Sequence, residues 1–179
     1  MSQVMSIDDE VRLRVLQALL SKGGVNPNLK QIKKITGLHA ATVKSSIEFL
    51  KSQGVLEGFG PKLNFRSLGY LLEVRVLFQF DMSKQDLFKK LLLAVEKDNH
   101  LFRLTSVMGS GNWNLYASFL YKDVESFHKN FSRNYEEKIP GFFDLIKDKQ
   151  VFYTTEPVYK NASRTESVIK IIKNEKGFE

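Results

Sequence analysis

At Leu71 the spacing of apolar residues changes, and that change restricts the chain to two kinds of structure laid end to end. Leu72, Val74, Val76, Phe78 and Phe80 alternate with Glu73, Arg75, Leu77 and Gln79. A period of two puts the first set on one face of a strand and the second set on the other. Before Leu71 the apolar positions recur at helical spacing instead. A single switch from a period near 3.6 to a period of two predicts a helical module followed by one built on a sheet.

The helical part divides into three. Ser6-Ile7-Asp8-Asp9 has the pattern of a capping box, and Ile7, Val11, Val15 and Ala18 continue at helical spacing to about Leu20. Lys22-Gly23-Gly24 stops that helix, and Asn26-Pro27-Asn28 is a turn able to cap the next. A short helix then carries Leu29, Ile32 and Ile35 on one side and ends at Gly37. A third runs from near Ala40 to Gly54. Residues 55–63 read as a small hairpin interrupted by Gly58, Gly60 and Pro61.

The sheet part has a fixed order. After the strand at 72–80, Asp81-Met82-Ser83 caps a helix with the stripe Leu87, Leu91 and Val95. A second strand covers roughly 101–108, Gly109-Ser110-Gly111 turns, and a third strand at 113–121 places Trp113, Leu115, Ala117, Phe119 and Tyr121 on one face. Asp123 caps a helix with Val124, Phe127, Phe131 and Tyr135 inward, which Pro140-Gly141 ends. The last strand lies within 145–155. The sequence β-α-β-β-α-β is the ferredoxin-like plan. The expected fold class is therefore α+β: a winged helix-turn-helix over 1–64, a ferredoxin-like domain over 65–159, and a polar basic tail over 160–179. In that tail Val168, Ile169, Ile171 and Ile172 offer the only apolar grip.

Composition removes several function classes. There is no Cys among the 179 residues, hence no disulfide framework, no thiol nucleophile and no Cys-based zinc site. The longest strictly apolar run, 91–95, is far short of the ~20 residues that span a bilayer, and the acidic Asp8-Asp9-Glu10 does not suit a secretory leader. These features predict a soluble, cytoplasmic protein with no metal and no membrane partner. The net charge of +7 is unevenly spread: residues 1–64 hold 9 Lys and Arg against 5 Asp and Glu, while 65–159 hold 13 against 12. A basic helical module beside a nearly neutral sheet module suits a polyanion-binding domain joined to a sensing or assembly domain. A generally basic soluble protein is the plainer alternative.

The second and third helices have the spacing of a helix-turn-helix, in which a sharp turn and one apolar lock hold the second helix on the first. Gly37 supplies the turn and Val43 the lock. At 100° per residue, Ile47 and Leu50 fall within about 40° of Val43. Ala41, Ser45, Glu48 and Ser52 point the opposite way, flanked by Thr42, Lys44 and Lys51. Small, polar and basic side chains of this kind enter a major groove without clashing; Lys44 and Lys51 suit phosphate or guanine, and Thr42 and Ser45 suit base edges or phosphate. His39, at the cap position, is a turn residue or a phosphate contact. A three-helix packing unit without a ligand fits the same pattern, and Glu48 opposes phosphate unless it reads cytosine.

The run Gly37-Leu38-His39-Ala40-Ala41-Thr42-Val43, then Leu50-Lys51-Ser52-Gln53-Gly54-Val55-Leu56-Glu57-Gly58-Phe59 and Lys62-Leu63-Asn64-Phe65-Arg66-Ser67-Leu68-Gly69, resembles the Lrp/AsnC family of prokaryotic transcriptional regulators, of archaeal type. The resemblance covers about residues 8–160. It implies a non-enzymatic regulator that binds double-stranded promoter DNA through His39, Ala41, Thr42, Lys44, Ser45 and Lys51. It also implies a homodimer or higher homo-oligomer formed through the second-domain sheet, and a small-molecule effector such as an amino acid near the loop between the second and third strands. There the matching positions are Gly109, Gly111, Asn112 and Asn114. The family commonly has aspartates where this chain has Asn112 and Asn114, and an amide cannot neutralise an ammonium. A hairpin whose glycines merely allow the turn is the alternative. The family also often has paired arginines where this chain has Ser45 and Ser46, so fewer phosphates are neutralised per monomer. Lys170, Lys173 and Lys176 of the tail are either compensating phosphate contacts or solvated charges.

Two further functions fit the same order of domains. Siroheme decarboxylases look similar along their whole length, and a tetrapyrrole pocket would draw on His100, His128, Arg103 and Arg133. An architectural DNA-coating protein would use the same helix with little sequence preference. No cofactor is expected for a regulator.

Overall fold

The computed structural model describes residues 10–20, 25–154 and 164–177, and the chain divides into two units, Met1–Gly69 and Tyr70–Glu179. The capping box at 6–9, the stop at Lys22-Gly23-Gly24 and the expected strand end at Thr155 lie outside the described residues. The first unit contains α1 (Glu10–Leu20), α2 (Leu29–Thr36) and α3 (Ala40–Ser52). Asn28 starts α2 as expected, its side chain accepting the Gln31 N–H at 3.1 Å. Gly37 stops it at a φ of +72°, a conformation costly for any residue with a β-carbon.

Val43 is the anchor of this unit, only 3% exposed, with Ile32 and Ile47 half-buried around it. The rest of the expected apolar face of α2 is less covered: Leu29 and Ile35 expose 36% and 75%. An eight-residue helix meets its neighbour along one line. Leu29 and Ile35 each lie about 60° to either side of Ile32, at the rim of that line. On α1, Val11 and Val15 are exposed too, contrary to a buried stripe.

Residues 55–63 form no strand pairing, in place of the hairpin expected there. The carbonyl of Leu50 accepts from both Val55 and Leu56, turning the chain back at the end of α3. Beyond that, Gly58 and Gly60 bring no side chain to pack and Pro61 no N–H to donate, so an isolated two-stranded ribbon has little to hold it. Asn64 then accepts from the N–H groups of Arg66 and Ser67 and starts a 3-10 turn at Arg66–Leu68. That turn belongs to the first unit, so the units part at Gly69 and not at residue 64.

The second unit is a four-stranded antiparallel sheet in the order β2-β3-β1-β4, made of β1 (Leu72–Phe80), β2 (Leu101–Ser106), β3 (Leu115–Tyr121) and β4 (Ile146–Thr154). With α4 (Gln85–Glu96) and α5 (Val124–Phe131) between the strands, this is the ferredoxin-like plan. The alternation in β1 is realised: Leu72, Val74, Val76 and Phe78 are buried, opposite Tyr121, Phe119, Ala117 and Leu115 of β3. Onto that face pack Leu91 of α4 and the aromatic residues Phe127, Phe131 and Tyr135. The ring of Phe119 meets those of Phe127, Phe131 and Tyr135 edge-on at centroid distances of 5.7–6.2 Å. A short α6 (Phe142–Leu145) leads into β4, and the polar tail contains a helix, α7 (Arg164–Lys176).

Three local expectations shift. Asp81 does not cap α4; its carboxylate accepts from the Ser83 N–H and hydroxyl in a turn before the helix, whose cap position is Lys84. Val124, in the first turn of α5, is 41% exposed. The second and third strands are each two residues shorter at the Gly109 loop than their apolar patterns suggested. Asp123 does cap α5, accepting from Ser126 at 2.7 Å, and this bond holds its carboxyl below the usual range.

After α5 the chain widens into a π-helical turn, Ser132–Glu136, closed by Glu137 N–H to Ser132 carbonyl at 2.9 Å. It delivers Tyr135 to Asp98, a buried carboxylate 7% exposed at the end of α4. The phenol donates to one Asp98 oxygen at 2.7 Å and the His100 N–H to the other at 2.9 Å. Burial and the bond to Asp98 push the Tyr135 phenol far above its ordinary value. Tyr121 lies stacked on His100 at 4.1 Å, and its buried hydroxyl bonds to no group among the described residues. The two tyrosines should therefore respond oppositely to loss of the hydroxyl. Tyr135→Phe is expected to cost about 1.5–3 kcal/mol, the range for a bond to a charged group, and Tyr121→Phe to be neutral or stabilising. Urea unfolding of the full chain measures both; equal losses would refute the assignment.

Candidate nucleic-acid interface

The sequence of α3 separates its two sides cleanly. Val43 turns inward, while Ala41, Thr42, Lys44, Ser45, Lys51 and the preceding His39 are all exposed. His39 holds the cap position by its backbone alone: its carbonyl accepts from Val43 and its imidazole makes no cap bond. The ring is thus spare at the positive end of the helix, where partial charge from the unpaired N–H groups favours an anion.

The exposed polar groups are lightly held. The Ser45 hydroxyl donates back to the Thr42 carbonyl at 3.1 Å, a local bond that a base or phosphate oxygen can replace. Lys44 stands 3.9 Å from Glu48 with both side chains about two-thirds exposed. Such a pair is worth at most about 1 kcal/mol, so Lys44 can leave it for a phosphate. Lys51 sits over the ring of Phe59 at 5.6 Å, a cation–π contact that fixes the direction of the ammonium and ties the exit segment to α3.

The structure adds residues that the helical wheel of α3 missed. Lys30, Lys33 and Lys34 are exposed on α2, the helix that in this motif crosses the DNA backbone. They were legible as a run of lysines, but the reading weighed only α3. Phe49 was also overlooked; it is 62% exposed and borders an open patch with Ser45, Ser46 and Leu50. Leu50, expected inward, is 37% exposed, leaving Ile47 to back up Val43.

The four candidate residues of the β2–β3 loop do not act alike. Asn114 uses both ends of its amide on the backbone of one residue, accepting from the Phe80 N–H and donating to the Phe80 carbonyl, each at 2.8 Å. It pins the loop to the end of β1. Gly111 has a φ of +86°, and a β-carbon there would come within 3.0 Å of the Trp113 indole nitrogen. Its role is to let the loop turn beneath Trp113. Gly109 and Asn112 are exposed, the latter in the left-handed region at a φ of +59°. Gly111 is exposed as well, so three of the four positions have surface to offer a ligand, and Asn114 is half-buried.

The residues named for a tetrapyrrole pocket are not assembled. His100 precedes β2 and lies 2.9 Å from the Leu120 carbonyl, whereas His128 bonds to Tyr153 of β4, at the opposite edge of the sheet. Arg133 donates to Asn130, and Arg103 sits across from Ser118 in the β2–β3 pairing. Among the described residues no group of three His, Cys, Asp or Glu is placed to hold a metal, and no helix is long and apolar enough to cross a membrane.

The amide of Asn114 gives a direct check on the loop. In Asn114→Asp the donor to the Phe80 carbonyl is replaced by a second acceptor facing it. The expected loss is about 1–3 kcal/mol in urea unfolding, with no gain in affinity for cationic ligands. An Asn114→Asp chain of unchanged stability would show that the amide pairing does not hold the loop.

No known family's sequence profile matches the chain. One curated relative, the HTH-type transcriptional regulator FL11 of Pyrococcus abyssi, is 34% identical over 76 residues, 42% of this chain and 49% of that protein. The chain thus spans about half the length of the curated relative it matches. Solved structures are similar over much more of it. A transcriptional regulator of Neisseria meningitidis in complex with L-Met matches 87% of this chain and 94% of its own, with a TM-score of 0.62 at 14% identity. An AsnC family regulator from Agrobacterium tumefaciens gives the same score and identity over 87% and 95%. AsnC of E. coli gives 0.58 at 15% identity over 87% and 98%. The resemblance carried by Gly37–Val43, Leu50–Phe59 and the sheet order is borne out at the level of architecture: the chain has the fold of the Lrp/AsnC regulators, a helix-turn-helix unit followed by a ferredoxin-like one.

Proposed function

We propose that this chain is a transcriptional regulator of the Lrp/AsnC type that binds promoter DNA as a homo-oligomer. The observation that carries the proposal is the outer face of α3. It offers small and weakly held polar groups at Ala41, Thr42 and Ser45, flanked by Lys44 and Lys51, with Lys30, Lys33 and Lys34 beside it on α2. A helix with this profile fits a major groove about 12 Å wide, and the α2 lysines suit the adjoining phosphates. A cytoplasmic location goes with that role.

The open face of the sheet supports assembly. Opposite the core face, β1 presents Glu73, Arg75 and Leu77, β3 presents Tyr116 and Leu120, and β4 presents Phe152, which is 44% exposed. Arg75 and Glu73 bond to each other at 2.9 Å, and the Ser118 hydroxyl bonds to Tyr116 at 2.8 Å. At the centre of the face these polar groups are thus paired with one another, and Arg103 stands at its β2 edge, so the centre can be covered by an identical face without stranding a charge. Two-fold dimers of helix-turn-helix proteins read half-sites one or more DNA turns of about 34 Å apart, so a paired chain is expected on DNA with that repeat. Gly109 and Asn112 are the positions best placed for a small-molecule effector, such as the amino acid held by the Neisseria regulator.

Two measurements test this. Lys44→Ala should weaken binding to the chain's own promoter and lower the slope of log K against log salt by about 0.9 per chain bound, one phosphate contact fewer. An unchanged slope removes Lys44 from the interface, and equal affinity for promoter and random DNA favours the architectural alternative. In sedimentation at micromolar concentration the full chain should be dimeric or larger, and Leu77→Asp should shift it towards monomer. A monomeric wild-type chain would remove the sheet from the assembly.

A further inference from the structure

One flank of α4, beside its core-facing stripe, is built as if to be covered. Lys90, Leu93, Ala94 and Lys97 recur at i, i+3, i+4 and i+7, the spacing of a helix face that meets a partner. Within the second unit they border a hollow of about 320 Å³, closed on the other side by Lys138 and Ile139 beyond the π-helical turn. That volume lies at the small end of the range for ligand pockets. Leu93 is 58% exposed into this space, and Ala94 and Ile139 add to its apolar wall.

The charges around the hollow are unbalanced. Lys90 and Lys97 make no ion pair among the described residues, and Lys138 reaches only the neutral Asn134 side chain, at 3.4 Å. Elsewhere in the same unit lysines do find carboxylates: Lys89 with Asp86, Lys147 with Asp81, Lys149 with Glu136. The one carboxylate at the hollow is Asp98, and both its oxygens are already occupied by Tyr135 and the His100 N–H. Three ammonium groups therefore surround the hollow against the single charge of Asp98, whose oxygens are turned to Tyr135 and the His100 N–H, and their mutual repulsion falls when an anion enters.

We propose that this hollow is a binding site for a small organic anion, one that combines a ring-sized apolar part with a phosphate or carboxylate group. The apolar part lies on Leu93, Ala94 and Ile139, and the acidic group is held by Lys90, Lys97 and Lys138. The site is separate from the β2–β3 loop and from α3, and its existence does not depend on what α3 binds. It also has a connection to the core. The widened π turn sets Asn134 at the rim while Tyr135, its neighbour, bonds to Asp98, so an occupant that draws α4 and this turn together acts on the same link that joins α4, β2 and the turn.

Thermal unfolding of the full chain, followed by circular dichroism, tests the site with phenyl phosphate as the probe. The melting temperature should rise and saturate with phenyl phosphate, as for a ligand that binds only the folded chain. Inorganic phosphate, lacking the ring, should need at least tenfold higher concentration for the same rise. Lys97→Ala with Lys138→Ala, both at exposed positions, should melt no lower than the wild type without ligand, since their repulsion is removed, and need at least tenfold more phenyl phosphate. The distant Lys122→Ala should respond as the wild type does. If the double variant proves unstable, the single Lys90→Gln should show at least a threefold weakening. The proposal is overturned if phenyl phosphate gives no saturable rise, if sodium chloride at matched ionic strength reproduces it, or if the lysine variants keep the full response.

Discussion

The second unit depends on one pair of strand faces. Val74 and Val76 of β1 lie opposite Phe119 and Ala117 of β3, and all four are at most 1% exposed. Because side chains alternate along a strand, burying this set fixes the register of the central pair; a slip of one residue would send Glu73 and Arg75 into the core. The register then decides what stands on the other face, where Glu73, Arg75, Leu77, Tyr116 and Leu120 are left together. The face proposed for assembly is thus the complement of the core.

A second constraint ties the helices to that sheet. Asp98 sits where α4 ends, accepts from the residue that starts the turn into β2, and accepts again from Tyr135 in the π-helical turn. A carboxylate this buried is costly unless its lone pairs are met, so three elements are held at one point. Lys149 adds a second tie across the same helix, bonding Glu136 and resting over the ring of Phe131 at 4.6 Å. Burial alone would raise the Glu136 carboxyl, but the Lys149 ammonium, with Ser132 and His128, outweighs it and leaves the group below its ordinary value.

The parts of the fold that could be read from sequence are those governed by period and by caps. The alternation in β1 and β3, the Asn28 and Asp123 caps and the Gly37 stop each follow from a single residue's chemistry, and each is present. What escaped depended on contacts between distant positions. Nothing local marks 132–136 as π-helical or sends Tyr135 to Asp98, 37 residues away. Asn114 is a ligand candidate through the family resemblance of its loop, yet both ends of its amide are taken by the backbone of Phe80. The missing hairpin at 55–63 is a case in which two short apolar runs had no third strand to lie on. At α3 the side facing outward was legible from Val43 alone, whereas the Glu48 and Phe59 contacts that restrain Lys44 and Lys51 were not.

The distribution of charge bears on how such a chain selects its sites. On α2 and α3 five lysines face one carboxylate, Glu48, while the sheet unit is close to neutral. Few fixed charges on α3 mean that a single unit gains little from phosphate neutralisation, which is the part of binding blind to sequence. A weak, sequence-blind contribution is a disadvantage for one copy and an advantage for two held at fixed spacing. Joined copies raise each other's effective concentration, but only on DNA where both helices fit. The light charge of α3 and the coverable face of the sheet are therefore complementary properties under the proposed assembly: the first would make one copy insufficient, and the second would supply another.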